Sequence, residues 1–172
     1  MSVIASFLLG SNNASTLHGL SSGLSTSEDR TRFLARHRSA AAFIIGKESA
    51  RRESYSASNV PIFVFSRNVA RLDFPHPMMQ QVNVDRRLLE ITRLIDKRIE
   101  GDIVVEAGAS LLSALIEVGA IDSLELTQSP IAGDGHFVDS ESLLKHFVVE
   151  EDELVNGTRL LKCRYQSDAT NS

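Results

Sequence analysis

Short apolar runs alternate with amphipathic segments along the first 127 residues of the chain. The runs have the length and composition of buried β-strands. They predict strands at residues 3–9, 41–45, 61–65, 102–106 and 124–127, with a brief further strand at 81–84. Residues 66–80 contain two prolines and are predicted to be irregular.

Helical spacing separates these runs. Leu88, Ile91, Ile95 and Ile99 recur on one helical face and predict a helix over 86–99. A capping-box pattern from Ser25 to Glu28 predicts a helix over 27–38, and a third helix is predicted over 109–118. The polar segment 47–58 is compatible with a further helix.

The last third of the chain has a different pattern. Asn156-Gly157 separates two strand-like segments, 146–155 and 158–165, and is a strong hairpin signal. The whole chain, residues 1–172, is therefore predicted to form one α/β domain. Its central sheet is mainly parallel, with an antiparallel C-terminal hairpin.

The composition argues against several classes of function. A net charge of −4 and a pI of about 5.7 do not favour nucleic-acid binding. The single cysteine, Cys163, excludes an intrachain disulfide and paired-cysteine metal sites, and the scattered histidines predict no metal site. The apolar run at 3–9 is too short to span a membrane, so we expect a cytoplasmic protein without membrane contact.

One strand end combines a carboxylate with a glycine turn. Glu106 ends the predicted strand, and Gly108 and Ser110 follow at the start of the next helix. Ligands of such sheets bind beyond the carboxyl ends of the strands, and a helix N-terminus attracts anions. Ser110 could cap the helix or bind a phosphate. Spacing alone leaves two interpretations open, a phosphate turn or an ordinary strand-to-helix turn, and slightly favours the second.

Two more strand ends have similar residues. Gly46 and Ser49 follow one strand, and Ser66 follows another. The Gly- and Ser-rich stretch 10–25 is long enough to be a functional loop. Arg38, near a helix end, could hold a phosphate or simply complement the helix dipole. We find no nucleophile–base pair, so the pattern favours a phosphorylated ligand over covalent catalysis.

Three segments resemble the reductase domain of the bifunctional riboflavin biosynthesis deaminase–reductase, which has the dihydrofolate reductase-like fold. They are 19–38 (GLSSGLSTSEDRTRFLARHR), 43–55 (FIIGKESARRESY) and 104–135, which begins VVEAGASLL. The third is the most specific. No deaminase motif is present in the sequence.

The resemblance implies an NADPH-dependent reductase that opens the ribosyl group of 5-amino-6-(5-phosphoribosylamino)uracil to ribityl by hydride transfer. It also implies a homodimer paired through the sheet edge and hairpin. Substrate contacts would be Glu106, Arg38, Ser22 (or Ser21) and Asn12. Cofactor contacts would be Gly108, Ala109, Ser110, Leu111, Leu112, Gly46, Ser49, Ser66 and Leu24.

The chain departs from the family pattern at several positions. Asn12 stands where the family has an acidic residue, and the spacing from Arg38 to Gly46 is about one residue short, so that Arg36 is a second candidate for the arginine role. Two alternatives therefore stay open: a catalytically weakened nucleotide-binding paralogue, or a reductase of a related pterin-like heterocycle.

Overall fold

The computed structural model describes residues 1–52, 55–67, 70–74 and 76–167. Its strands are β1 Val3–Leu9, β2 Ala14–Thr16, β3 Ala42–Gly46, β4 Ile62–Ser66, β5 Met79–Asn83, β6 Ile103–Glu106, β7 Ser123–Gln128, β8 Gly135–Phe137, β9 Phe147–Val155 and β10 Thr158–Tyr165. Eight strands form one sheet in the order β5-β4-β3-β6-β1-β7-β10-β9, while β2 and β8 form a separate ribbon.

The strand directions match the predicted architecture. Neighbours from β5 to β7 are parallel, whereas β10 is antiparallel to both β7 and β9. The mainly parallel sheet with an antiparallel C-terminal hairpin is thus confirmed. At the hairpin tip Asn156 and Gly157 have φ values of 50° and 81°, the left-handed conformation that this residue pair favours.

Helices cover both faces of the sheet. They are α1 Ser27–Ser39, α2 Lys47–Arg52, α3 Leu88–Arg98, α4 Ala109–Glu117 and α5 Ser140–Leu144, with a 3-10 helix at Ser21–Leu24. The helices α3, α4 and α5 pack on one face around a large apolar core, and α2 packs on the other around a smaller one. Among the described residues, no helix is long and apolar enough to cross a membrane.

Most predicted elements lie within two residues of their observed bounds, but four short ones were not predicted. They are β2, β8, α5 and the 3-10 helix, each of five residues or fewer. Residues 53, 54, 68, 69 and 75 lie outside the described residues, so the predictions for 47–58 and 66–80 apply only in part.

The capping box predicted at Ser25 is wrong by one residue. Thr26 is the N-cap of α1, and its side-chain oxygen accepts a hydrogen bond from the Asp29 N–H at 3.3 Å. Ser25 instead donates its hydroxyl to the Asp29 carboxylate at 2.7 Å. Glu28 accepts a bond from the Asn156 amide at 2.9 Å, which ties the start of α1 to the hairpin tip.

Polar contacts, rather than an apolar stripe, hold α1 against the sheet. Arg32 and Arg36 both bind the Glu125 carboxylate of β7, at 3.2 and 2.5 Å, and Arg32 also donates to the Leu161 carbonyl. Burial lowers the pKa of the Arg32 guanidinium, and Glu125 opposes that shift. Partly buried charges of this kind require matched partners, so they fix where α1 lies.

The stretch predicted as a long loop contains the ribbon strand β2 and the 3-10 helix, and the rest of it is irregular. Ser11 N–H donates to the Ile131 carbonyl at 2.9 Å, and Asp134 N–H donates to the Thr16 carbonyl at 3.0 Å. Gly133 lies so close to this ribbon that a Cβ on it would be 2.4 Å from the Thr16 carbonyl oxygen. The glycine is therefore required for close approach of two backbones.

We expect Gly133→Ala to lower the free energy of unfolding by about 2 kcal/mol or more, because the added methyl group collides with backbone that cannot rotate away. Chemical denaturation measures the change. Gly108→Ala is the matched control, since no atom lies within 4 Å of a Cβ there, and it should cost only the roughly 0.5–1 kcal/mol by which glycine is preferred over alanine at an N-cap. Equal effects of the two substitutions would contradict the close approach.

Candidate functional site

Three predicted strand ends meet at one edge of the sheet. The strands β4, β3 and β6 are adjacent and parallel, with Ile45 opposite Glu106 and Gly46 opposite Phe65. Their carboxyl ends therefore bring Gly46, Ser66 and the turn after Glu106 together. This is the edge at which ligands of open α/β sheets bind.

The start of α4 has no side-chain cap. Gly108 is the N-cap residue, with ordinary φ and ψ of −64° and 166°, and the first turn contains no acidic residue. The first backbone bond within the helix runs from Leu112 N–H to the Gly108 carbonyl at 3.0 Å. The N–H groups of residues 109–111 precede that bond and point toward the helix start. Of the two roles open to Ser110, capping is therefore not observed.

The surroundings of this helix start are open on one side and packed on the other. A Cβ on Gly108 would meet no atom within 4 Å. A Cβ on Gly46 would lie 3.7 Å from Leu111, so the first turn of α4 rests against the end of β3. Leu112 is buried in the core. The Leu112 side chain is therefore out of a ligand's reach and its N–H is already bonded to Gly108, while Ala109 and Ser110 remain accessible.

Glu106 is held by two side chains on the α1 face of the sheet. His37 Nε2 lies 2.5 Å from Glu106 Oε1, and the Tyr55 hydroxyl donates to Oε2 at 3.0 Å. The Glu106 side chain is 13% exposed, and the His37 side chain 24%. Both carboxylate oxygens are thus already bonded, each with one further lone pair available.

Aromatic rings fix the position of His37. The centroid of its ring lies 4.0 Å from that of Phe33 and 4.7 Å from that of Phe43, and the Tyr55 ring is stacked at 6.3 Å. The imidazole is therefore packed against other rings rather than free to rotate at the surface. This packing orients the ring so that Nε2 faces the Glu106 carboxylate.

The remaining predicted site residues differ in how accessible they are. Ser22 is exposed on the 3-10 helix, Ser49 is half-buried on α2, and Ser66 is buried at the end of β4. Leu24 is fully buried beneath Gly10 and Gly133, and Arg38 is exposed near the end of α1. Ligand contacts for these residues stay predictions.

Arg36, the second candidate for the arginine role, is buried against Glu125. Cys163 is also buried in the core, where burial raises the pKa of its thiol. The described residues contain no cluster of histidine, cysteine and carboxylate side chains able to hold a metal ion.

Asn12 uses its amide to join two loops. Its Nδ2 donates to the Gly133 carbonyl at 2.9 Å, and its Oδ1 accepts from the Gly133 N–H at 3.0 Å. This two-way contact needs both a donor and an acceptor, which an amide supplies and a carboxylate does not. The asparagine thus has a structural function in this chain, whatever else it contacts.

The sequence did not identify the partners of Glu106. In the sequence, His37 and Tyr55 lie within two of the segments that resemble the reductase family, 19–38 and 43–55, and neither is singled out by a motif. No spacing rule links residues 37, 55 and 106, because their contact depends on how α1 crosses β3 and β6. The only local signal was the repeated aromatic character of Phe33, Phe43 and Tyr55.

The architecture is the dihydrofolate reductase-like fold. A deaminase/5-amino-6-(5-phosphoribosylamino)uracil reductase from Thermotoga maritima superposes with a TM-score of 0.71 at 16% identity, over 96% of this chain and 56% of that chain. A riboflavin biosynthesis protein from Shewanella sp. PV-4 superposes at 0.69 and 17%, over 97% of this chain and 100% of that one.

A third similar structure is a dihydrofolate reductase. The dihydrofolate reductase of Enterococcus faecalis, in complex with NADP(H) and RAB-propyl, gives a TM-score of 0.68 at 12% identity, over 96% of this chain and 97% of that chain. Neither a family model nor a curated protein matches the sequence. The fold implied by the sequence resemblance is confirmed, and the chain spans about half the length of the Thermotoga protein.

We expect Asn12→Asp to destabilise the protein by about 1 kcal/mol, because a carboxylate oxygen replaces the donor that faces the Gly133 carbonyl. Thermal or chemical unfolding measures the loss. Asn13→Asp is the matched control, with the same change of charge one residue away at a side chain for which the described structure shows no hydrogen bond. An Asn12→Asp protein that keeps the native stability and has a higher catalytic activity than the native protein would show instead that this position is a damaged catalytic site.

Proposed function

We propose that the protein is an NADPH-dependent reductase of the riboflavin biosynthesis type, which reduces the ribosyl group of 5-amino-6-(5-phosphoribosylamino)uracil to ribityl. The main supporting observation is the uncapped start of α4 directly after Glu106, at the edge where parallel strands end. The similar reductases of known structure support the same class of activity, although they are distant in sequence.

The residues at this edge fit a phosphorylated dinucleotide. The free N–H groups at the start of α4 and the helix dipole favour a phosphate, and the absence of acidic residues from the first turn avoids repulsion. Gly108 leaves space for close approach. When bound, NADPH supplies a hydride. The chain itself binds and orients, with Gly46, Ser49 and Ser66 as the further cofactor contacts.

The substrate is expected on the α1 side of the same edge. Glu106 is the carboxylate suited to contact the pyrimidine or its ribosyl group. Ser22 is exposed on the 3-10 helix that follows β2 and is the second predicted substrate contact. Arg38 is the predicted phosphate contact and lies on the exposed side of α1. Orientation of the reacting carbon against the hydride donor is the main requirement of this reaction.

One observation favours a second candidate, a weakened nucleotide-binding paralogue. Both oxygens of Glu106 are already bonded within the protein, to His37 and Tyr55. A carboxylate in this state could be a structural remnant of a substrate site. The two candidates differ in catalysis but share the phosphate site of α4.

Titration with NADPH, followed by nicotinamide fluorescence, tests the shared site. We expect saturable binding, and we expect Gly108→Asp to weaken it at least about tenfold because a carboxylate at the N-cap competes with phosphate. Gly108→Asn is the matched control, since asparagine caps the helix equally well without charge. No binding by the native protein, or native affinity in both variants, would refute the site.

Oxidation of NADPH in the presence of the deaminated ribosylaminopyrimidine phosphate separates the two candidates. Turnover followed by absorbance supports the reductase, with the ribityl product identified by mass spectrometry. Saturable NADPH binding without turnover would instead support the paralogue.

We also propose a homodimer paired through β9 and β10. The strand β9 forms the edge of the sheet and is exposed over eight of its nine residues, including Leu154, which is 74% exposed. Long exposed edge strands with apolar residues tend to be covered by a partner. The cross-strand pairs Arg159–Asp152 and Arg164–Glu150 keep the hairpin ordered.

Light scattering on the purified protein should give twice the mass of the chain. We expect Leu154→Glu to shift the equilibrium toward monomer, because it places a charge on the apolar part of the edge. Leu94→Glu, at a 46% exposed position on α3, is the control and should remain dimeric. A monomeric native protein would refute this assembly.

A further inference from the structure

Glu106 is the centre of a cluster of three groups that can exchange protons. A nitrogen and an oxygen 2.5 Å apart, as His37 Nε2 and Glu106 Oε1 are, require a proton between them. The Tyr55 hydroxyl occupies the other carboxylate oxygen at 3.0 Å. A base oriented by a third group is the usual arrangement at sites that move protons.

The rings that pack against the imidazole are aromatic. Phe33 and Phe43 contact it from α1 and β3. On α1, Arg30 lies over the Phe33 ring with its guanidinium carbon 5.4 Å from the ring centroid, Arg36 is bound to Glu125, and Arg38 is exposed. Glu106 is the hydrogen-bonded partner of His37, and the Tyr55 ring is stacked on it.

We propose that the His37–Glu106 pair is the acid of the reductase. Glu106 delivers the proton that accompanies the hydride, and His37 resupplies it through the short Nε2–Oε1 contact. This inference rests on the proposed function. It assigns to His37 a role that acts through Glu106, and to Tyr55 the role of holding the carboxylate.

The hydride, the proton and the broken bond of this step are all accounted for by the groups named. The ribosyl C1 accepts a hydride from the nicotinamide, the bond from C1 to the ring oxygen breaks, and that oxygen takes a proton to become a hydroxyl. The sugar carbon is reduced and the nicotinamide is oxidised. The transferred proton comes from the imidazolium–carboxylate form of the pair, which is left as neutral imidazole and carboxylate. The 24% exposed His37 then regains a proton from solvent.

The roles of His37 and Tyr55 differ in this step. Tyr55 does not supply the proton, so its removal should lower the rate less than removal of His37.

Steady-state kinetics of His37→Gln tests the proposal. Glutamine can still donate a hydrogen bond to Glu106 but has no transferable proton. We therefore expect kcat to fall about 100-fold or more, with KM within about threefold of the native value. Tyr55→Phe is the comparison and should lower kcat less than tenfold.

A second measurement does not depend on turnover. The free protein should show a strongly deshielded imidazole proton in its NMR spectrum, absent from Glu106→Gln and from His37→Gln and present in Tyr55→Phe. Circular dichroism and NADPH titration verify that each variant folds and binds the cofactor.

The outcomes are distinguishable. An active native enzyme whose His37→Gln variant keeps the native kcat overturns this inference alone. Absence of the deshielded proton from the native protein also overturns it, because no proton is then shared. A native protein that binds NADPH but never turns over the ribosylaminopyrimidine phosphate overturns both this inference and the proposed function.

Discussion

The register between β3 and β6 determines the whole candidate site. With Ile45 opposite Glu106, the carboxylate lies at the strand end and on the α1 face, while Gly46 contacts the first turn of α4. A slip of one residue would turn Glu106 into the apolar core around α3 and α4. Apolar residues with strong strand preference, such as Ile44 and Val105, pin this register because their side chains are fully buried.

The two faces of the sheet have different chemistry, and that difference produces the site. The face beneath α3 and α4 is an apolar core, which makes the strands rigid. The face beneath α1 contains Glu125 and Glu106, which bind Arg32, Arg36 and His37 of one helix. The same ion pairs that hold α1 in place therefore bring His37 to the strand end, so stability and proposed chemistry use one set of contacts.

Much of the fold followed from the sequence because its signals are local. The apolar run at β1 and the Asn156-Gly157 turn are specified within a few residues, and both lie where predicted. The cap of α1 was misplaced because Ser25 and Thr26 offer similar hydroxyls, and only the position of Asp29 selects between them. The ribbon of β2 and β8 was missed because its two short strands, more than 100 residues apart, stabilise each other.

In the candidate site, too, the features that depend on local sequence were predicted and the long-range contacts were not. The turn after Glu106 is local, and its position at the sheet edge was predicted. The contacts of Glu106 with His37 and Tyr55, and of Asn12 with Gly133, join residues distant in sequence. Such contacts depend on helix placement and loop packing, which no periodicity encodes. The roles of Glu106 and Asn12 consequently changed most between sequence and structure.

The central claim is that the edge formed by β3, β6 and the start of α4 binds a phosphorylated cofactor. Backbone amide NMR during NADPH addition tests it most directly, because each N–H reports its own environment. The account predicts the largest shifts at Gly46 and at Gly108, Ala109, Ser110 and Leu111, with small shifts along β9. Largest shifts in the hairpin or in α3, with the start of α4 unchanged, would contradict it.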